Sequence, residues 1–138
     1  MTDDLFGPLE YVTFKDASKN YYEGTVSFDA QPCIISFDAD ENGPTTAQKE
    51  FFRELADRYP QLKNEVLLPF LDRELEDWTS KEPLTDFDKA FEMDGISFYR
   101  IEGGPISWSL TLYWLNIDHW VTIEFNDWTP EEGVAIDG

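Results

Sequence analysis

The strongest constraint in this sequence is an alternation of apolar and polar residues that runs through positions 106–125. Large side chains occupy every second position on either side of a polar turn at Asn116–Asp118. The residues that this alternation places on one face are Trp108, Leu110, Leu112, Trp114, His119, Val121, Ile123 and Phe125. A period of two predicts two antiparallel strands with one buried face and one partly wet face. Another layer of the domain must therefore cover the buried face.

Further strands are predicted on both sides of a central helical region. Ile96–Ile101 precedes the alternating segment, and Gly103–Pro105 supplies a turn signal between them. Nearer the start of the chain, three runs rich in aromatic and β-branched residues also predict strands. These runs are Leu9–Phe14, Tyr21–Phe28 and Cys33–Asp38. Inside the second run, Gly24 predicts a β-bulge.

The helical region begins with a capping signal. Thr45 and Gln48 have the spacing of a capping box, so a helix is expected to start there. Its apolar stripe consists of Phe51, Phe52, Leu55, Ala56 and Tyr59. Pro60 is expected to end this helix or to begin the next. The apolar face of a second helix consists of Leu67, Phe70, Leu71, Leu75 and Trp78, and Pro69 predicts a kink or a late start.

The order of these elements determines the expected fold class. Residues 79–94 are polar and without a clear period, which predicts a connecting loop with one helical turn near Asp86–Phe91. The order β-β-β-α-α-β-β-β predicts an α+β fold, an antiparallel sheet of about six to seven strands with a helix pair on one face. Because no repeat or shift in composition divides the chain, residues 1–138 are expected to form a single domain.

Charge limits the partners that such a domain can have. The 29 acidic residues outnumber the 10 basic ones and give a net charge of −19. This charge disfavours nucleic acid and anionic membranes, because phosphate contacts need clustered Lys and Arg. It favours a basic protein partner. A single cysteine excludes an intramolecular disulfide, and the start of the chain has no signal-like pattern, so a cytoplasmic location is expected.

The segment Asp38–Gly43 is the most motif-like stretch of the chain. Its D-x-D-x-N-G spacing matches the opening of a calcium loop, but the twelfth position of that loop, where a bidentate Glu is needed, is Lys49. The alternative interpretation is a turn between a strand and a helix, in which Gly43 supplies a positive φ. A small metal-dependent enzyme or calcium-binding module that uses Asp38–Asn42 is kept as an alternative function.

Other catalytic arrangements have weaker support in the sequence. Cys33 lies in an apolar strand without a basic neighbour, which favours a small core residue over a nucleophile. His119, the only histidine, begins a strand beside Asp118, and one His with one Cys cannot form the usual zinc sites. Carboxylate pairs such as Asp127 with Glu131 occur by chance in so acidic a chain. The chain is therefore expected to be no enzyme, with no cofactor and no bound metal.

The five tryptophans favour a binding surface. A domain of this size cannot easily bury all of them, because each indole N–H also needs a partner. Trp120 is expected to face away from Val121 and Ile123, and Trp128 lies in the turn that follows this strand. An exposed aromatic residue surrounded by acids is a common composition of protein interfaces. Packing of Trp128 over the sheet edge is the alternative.

Three short motifs carry a resemblance to a known group of proteins. The turn Asp127–Gly133, with Trp128 and Glu131, resembles the W-x-x-E-H-G-like motif near the end of a group of uncharacterised bacterial proteins. Glu132 stands where that motif has histidine. Tyr22–Phe28 is similar to the Y-x-G-x-V-x-F strand of the same group, and Asp38–Pro44 to its D-x-D-x-x-G-P turn. Members often occur near polymorphic toxin systems, so the resemblance implies an immunity role and supplies no active site.

These observations predict an acidic protein-binding domain. The first hypothesis is an immunity or inhibitor protein that neutralises a cognate toxin, such as a basic nuclease, by covering its active surface. The residues expected to form the interaction surface are Asp38, Asp40, Glu41, Trp120, Asp127, Trp128, Glu131 and Glu132. A housekeeping interaction domain, whose acidity serves solubility alone, is the remaining alternative. The sequence leaves the oligomeric state open.

Overall fold

The computed structural model describes residues 1–78 and 82–138 and has the expected α+β class. A mixed sheet of eight strands forms one layer, and helices pack on one of its faces. The strands of the sheet are β3 (Glu10–Val12), β4 (Tyr21–Phe28), β5 (Gln31–Asp38), β6 (Phe91–Phe98), β7 (Ser107–Trp114), β8 (His119–Asn126), β9 (Thr129–Pro130) and β10 (Ala135–Asp137). The strands β1 (Thr2–Asp3) and β2 (Gly7–Pro8) form a separate hairpin.

The helical layer lies between β5 and β6 in the chain. It consists of α1 (Thr46–Leu62), a π turn (Lys63–Leu67), α2 (Leu68–Glu74) and the short α3 (Phe87–Ala90). A 3-10 turn, Ala17–Lys19, precedes β4. Each helix within the described residues is too short or too polar to cross a lipid bilayer.

One strand pairing differs from the predicted antiparallel sheet. The strand order is β10-β8-β7-β6-β5-β4-β3, with β9 beside β8, and every pairing is antiparallel except that of β5 with β6. The helices between these two strands carry the chain back to the end at which β5 began, so β6 runs in the same direction as β5. The carboxyl ends of β5, β6 and β8 consequently share one edge of the sheet.

The predicted buried face of the sheet is confirmed. Trp108, Leu110, Leu112 and Trp114 of β7 are buried, as are Val121, Ile123 and Phe125 of β8. Aromatic rings join this face to α1: Phe51 packs edge-on against Phe98 at 5.7 Å and against Trp108 at 5.5 Å. Such aromatic pairs add to the stabilisation that comes from buried apolar area. The core therefore lies between the helices and a single face of the sheet.

Two backbone predictions near the helices and strands are corrected. Pro60 lies inside α1 and does not end it; its carbonyl accepts a hydrogen bond from the Asn64 side chain at 3.1 Å. The π turn, Lys63–Leu67, follows directly after α1. Gly24 forms no bulge, because its pairing with Ile35 is in register. Instead, a Cβ on Gly24 would lie 2.9 Å from the backbone carbonyl oxygen of Pro8, so the position requires glycine for close packing.

The connection into β6 also differs in detail from its prediction. The helical turn expected near Asp86–Phe91 is α3, and β6 begins at Phe91, five residues before the predicted strand start at Ile96. A register shift between Met93 and Gly95 interrupts the alternation, which conceals this part of the strand in the sequence. Residues 79–81 of the predicted loop lie outside the described residues.

A buried lysine holds the π turn to the rest of the domain. Lys63 Nζ donates to Asp29 at 2.8 Å and to Asp88 at 2.9 Å, and so joins the π turn to the β4–β5 turn and to α3. Burial lowers the pKa of Lys63, but the hydrogen bonds to these two carboxylates outweigh that effect and the net pKa is raised. The lysine therefore stays charged in a position where an unpaired charge would be costly.

The predicted capping box is confirmed and has a further role. Thr45 Oγ1 accepts from Gln48 N at 3.1 Å, and Gln48 Oε1 accepts from Thr45 N at 2.9 Å. The other end of the Gln48 amide donates to the carbonyl of Asp38 at 2.7 Å and to that of Tyr99 at 3.4 Å. Gln48 is completely buried. One side chain thus joins the start of α1 to the ends of both parallel strands.

Gln48→Met should lower the free energy of unfolding by more than Thr45→Ala does. Loss of the Thr45 cap alone should cost about 1 kcal/mol. Methionine keeps the side-chain volume but leaves the Thr45 N–H and two strand carbonyls without partners, which should cost about 2 to 4 kcal/mol. Urea unfolding of both variants, with the exposed Gln61→Met as control, measures the difference. Equal losses in the Thr45 and Gln48 variants would contradict a role for Gln48 beyond the cap.

Candidate functional site

One face of the sheet carries no covering layer of described residues. We call it the open face and define it by the outward side chains of the strands: Glu10, Val12, Tyr21, Glu23, Thr25, Ser27, Ile34, Ser36, Asp38, Glu92, Gly95, Ser97, Ser107, Ser109, Thr111, Tyr113, Trp120, Thr122, Glu124, Ala135 and Asp137. These side chains are half-buried or exposed even on the central strands. Ile34 of β5, for example, is 48% exposed.

The strand register arranges the open face in rows. In one row, Glu23 pairs with Ser36, Ser36 with Ser97, Ser97 with Ser109, and Ser109 with Glu124. Three serines therefore lie side by side across β5, β6 and β7, between two glutamates. The serine side chains in the middle of this row are short, whereas the glutamate side chains at its two ends are longer and project further from the sheet. The face is consequently a shallow polar depression with an acidic border.

The net negative charge of the domain lies outside the long helical segment. The open face carries six carboxylates, and none of the described strands contains a Lys or Arg. The carboxylates are Glu10, Glu23, Asp38, Glu92, Glu124 and Asp137. By contrast, residues 46–74 of the helical layer contain six acidic and five basic residues, a net charge of −1. Of the net −19, a charge of −18 therefore lies outside that helical segment.

A cleft of about 480 Å³ lies at one end of the open face. We call it the Asp38 cleft. Its walls and floor include Tyr21, Glu23, Ser36, Asp38, Ser97 and Tyr99, and the 3-10 turn at Ser18–Lys19 borders its mouth. A second hollow of about 340 Å³, lined by Ser18, Asp38, Tyr99, Arg100 and Glu102, adjoins it. The cleft therefore combines carboxylates, hydroxyls and aromatic rings in a volume suited to a small ligand or one side chain.

Parallel pairing of β5 and β6 creates this cleft. Both strands end at the same edge of the sheet, after which the chain from β5 turns towards α1 through the buried Ala39. The hydrogen bonds from Gln48 hold the carbonyls of Asp38 and Tyr99 at this point. Hydrogen bonds also order the segment at the mouth, where Asn20 Oδ1 accepts from Phe14 N at 2.7 Å. Hydrogen bonds thus hold the backbone that carries the cleft residues.

An aromatic pair occupies the opposite end of the open face. Tyr113 and Trp120 are directly opposite in register, with ring centroids 5.2 Å apart, and Trp120 is 39% exposed. Glu92 flanks Tyr113 on one side and Asp137 flanks Trp120 on the other. Trp120 lies six residues before Asn126, so about 20 Å of strand separates it from the edge that holds the Asp38 cleft.

The predicted interaction residues of the first acidic turn lie at the cleft edge. Asp38 points onto the open face, whereas Asp40 and Glu41 are exposed in the turn that leads to α1. Asp40 has a structural role: its Oδ1 accepts from Asn42 N at 2.9 Å, and its carbonyl accepts from the Tyr22 hydroxyl at 2.9 Å. Gly43 has the positive φ, 89°, that the sequence predicts for this turn.

The second predicted turn follows β8 at the same edge of the sheet. Asp127 is about three strand spacings, or about 14 Å, from Asp38. Its Oδ1 accepts from Ile106 N at 2.9 Å, and its carbonyl accepts from Trp108 Nε1 at 2.6 Å. Glu131 and Glu132 are exposed beyond it. The fold therefore brings the two acidic turns to one edge, with β6 and β7 between them.

Trp128 lies on the helical side of the sheet. Its ring stacks on Phe51 at 5.6 Å, and the Arg58 guanidinium lies 4.4 Å above it. Trp128 is half-buried in this position. This matches the alternative predicted from the sequence, in which Trp128 packs over the sheet edge. Trp120, Trp128 and Asp38 consequently do not form one continuous patch.

The metal and nucleophile arrangements raised by the sequence are not assembled in the described residues. Residues 1–78 and 82–138 contain no group of three or more His, Cys, Asp or Glu placed to hold a metal ion. Cys33 is buried on β5, whereas His119 begins β8, about 14 Å away across three strand spacings. Burial raises the pKa of the Cys33 thiol to about 12, so it remains protonated at neutral pH.

Sequence reasoning missed most residues of the Asp38 cleft. The alternation in β4 did place Glu23 on the face opposite Tyr22, and that pattern was the available signal. No sequence signal indicated Ser36, Ser97 or Tyr99, because their proximity depends on the parallel pairing of strands more than fifty residues apart in the chain.

Comparison of the chain with protein-family models, with curated proteins and with solved structures finds no match.

Proposed function

We propose that this chain is an acidic protein-binding domain that neutralises a toxin, in the manner of an immunity protein, by covering a basic surface of that toxin. The observation that carries the proposal is the open face, which has six carboxylates, no basic residue and an exposed aromatic pair. An uncovered sheet face of this composition has the elements of an interface: complementary charge for steering and aromatic residues for affinity.

The size of the open face suits a protein partner. The strands β4 to β8 have eight residues each, so they are about 23 Å long and together span about 19 Å; with the short β3 and β10 the face measures roughly 500 Å². A typical stable complex buries about 800 Å² on each partner. A partner that covered this face and the turns around it would therefore make a contact of ordinary size.

The distribution of charge argues against acidity that serves solubility alone. Solubility needs only net charge, wherever it lies, whereas this domain has a nearly neutral segment at residues 46–74 and an open face with six carboxylates and no Lys or Arg. Two tryptophans, Trp78 and Trp120, are also exposed. A toxin that acts on nucleic acid fits this surface best, because its active site must itself attract phosphates through Lys and Arg.

Co-expression with the neighbouring reading frame tests the proposed function directly. A stable complex, together with protection of the host cell from the product of that frame, is the expected result. Absence of both a complex and protection would refute the immunity proposal.

The rate of association with the basic partner should fall at least about tenfold between low ionic strength and 1 M salt, where the Debye length is about 3 Å. Glu23→Gln with Glu124→Gln on the open face should reduce the rate at low salt and flatten this dependence. Glu50→Gln with Asp57→Asn removes the same charge from exposed positions of α1 and should have a smaller effect. Stopped-flow measurements compare the two pairs.

A third pair of variants separates the open face from the turn after β8. Glu131→Gln with Glu132→Gln should change the association rate less than the Glu23 and Glu124 pair. If all three pairs slow association equally, only the net charge of the domain matters and the open face has no special role. If the turn variant has the largest effect, the partner docks at the sheet edge instead.

Trp120→Ala should increase the rate of dissociation by at least about tenfold, because a few large aromatic residues contribute most of the affinity of an interface. Trp78→Ala provides the control, since Trp78 is 52% exposed but packs on Trp114 and His119 outside the open face. Surface plasmon resonance measures both rates. An unchanged dissociation rate in the Trp120 variant would contradict the aromatic contribution.

A further inference from the structure

We propose that the Asp38 cleft binds one arginine side chain of the partner, an inference that rests on the proposed function and names the group that its acidic surface recognises. The cleft is a recess of about 480 Å³ at one end of the open face. Three features of its geometry select a guanidinium group: two separated carboxylates, aromatic walls and a floor of hydroxyl groups.

The two carboxylates stand on adjacent strands at a useful separation. Glu23 pairs with Ser36, and Asp38 lies two residues after Ser36 on the same face of β5. This diagonal relation places the two Cβ atoms about 7 to 8 Å apart. The side chains can therefore reach a planar cation between them from two sides. A guanidinium group offers five N–H donors in a fixed plane, so it can bond both carboxylates at once.

Two tyrosines form the walls on either side of Asp38. Tyr21 is the register partner of Asp38 on β4, and Tyr99 follows the end of β6. Phe14 stacks on Tyr21 at a centroid distance of 6.1 Å and supports that ring, whereas Tyr99 is 59% exposed and free to lie over an entering group. Guanidinium groups stack on aromatic faces better than ammonium groups do.

The floor supplies further acceptors. Ser36 and Ser97 are register partners on the parallel strands, so their hydroxyl groups lie side by side. Serine hydroxyl oxygens accept hydrogen bonds from the guanidinium N–H groups that the carboxylates leave unpaired. The Gln48 hydrogen bonds to the carbonyls of Asp38 and Tyr99 hold the walls in place before binding, which reduces the entropy cost of ordering the site.

Two basic side chains near the cleft should affect arginine binding. Lys19 lines the mouth from the 3-10 turn, and Arg100 lies in the adjoining hollow, where Glu102 accompanies it. Lys19 is exposed, and its positive charge at the mouth opposes the entry of another cation. Removal of the Lys19 charge should therefore tighten arginine binding, whereas removal of the Asp38 charge should weaken it.

Titration with a small probe tests the cleft without knowledge of the partner. N-acetyl-arginine-N-methylamide, added to the full chain, should shift the amide resonances of Ser36, Asp38, Ser97 and Tyr99 in a saturable manner. The lysine analogue should bind at least about fivefold more weakly. Asp38→Asn and Tyr99→Ala should each weaken arginine binding at least about fivefold, and Lys19→Ala should strengthen it about twofold or more.

Glu124→Gln is the matched control, because it removes one negative charge from the same face outside the cleft. It should change arginine binding less than twofold, and the dispersed amide spectrum of each variant verifies its fold. Equal binding of the arginine and lysine probes, or equal effects of Asp38→Asn and Glu124→Gln, would overturn the proposal in favour of unspecific charge attraction. Saturable shifts at the same four amides with a neutral monosaccharide would also overturn it.

Failure of this inference can be told apart from failure of the proposed function. If the toxin complex forms but Asp38→Asn weakens it no more than Glu50→Gln on α1 does, the cleft assignment is wrong and the immunity function stands. If arginine binds the cleft with the expected specificity but co-expression gives neither complex nor protection, the cleft stands and the immunity function is wrong.

Discussion

The buried amide of Gln48 is the interaction on which the arrangement of this domain most depends. It closes the capping box at the start of α1 and donates to the carbonyls of Asp38 and Tyr99, where both parallel strands end. A buried carbonyl without a partner costs about 1 to 3 kcal/mol, so the hydrogen bond from this buried amide to the Asp38 carbonyl stabilises the end of β5. The helical layer and the cleft edge are therefore joined through one residue.

The same junction explains why the two sides of the sheet differ. The crossover from β5 to β6 places the described helices on one face, where their basic residues offset their acidic ones. The helices bury their apolar stripes against one face of the sheet. Among the described residues no further helix or sheet remains to cover the other face. Small hydroxyl residues then occupy the centre of that face, because they tolerate water without losing strand geometry. The acidic excess collects there and in the turns.

The sequence predicted the local elements better than their assembly. The alternation at Trp108–Trp114 and the Thr45–Gln48 box depend only on neighbouring residues, so both were correctly predicted, as was the α+β class. Three features were not predicted: the parallel pairing, the location of Pro60 inside α1 and the early start of β6. Each depends on long-range pairing or on local compensation by side chains, which a sequence pattern does not show. The sequence identified Asp38 and Trp120 as surface residues. It could not show that they lie about the length of β8 apart, or that Trp128 packs on Arg58, because both facts depend on the three-dimensional fold.

Electrostatic repulsion connects the stability of the domain to the proposed binding. Carboxylates on adjacent strands of the open face repel one another in the free protein, and the basic residues that could relieve this repulsion lie in helices and loops. Where the fold brings Asp29 and Asp88 together, the domain supplies Lys63 between them, whereas no ion pair to Glu23 or Asp38 is found within the described residues. A basic partner would supply the missing charge, and its binding to the folded state alone would then stabilise the fold. The unrelieved repulsion on this face is thus a cost of folding that association with a cation removes.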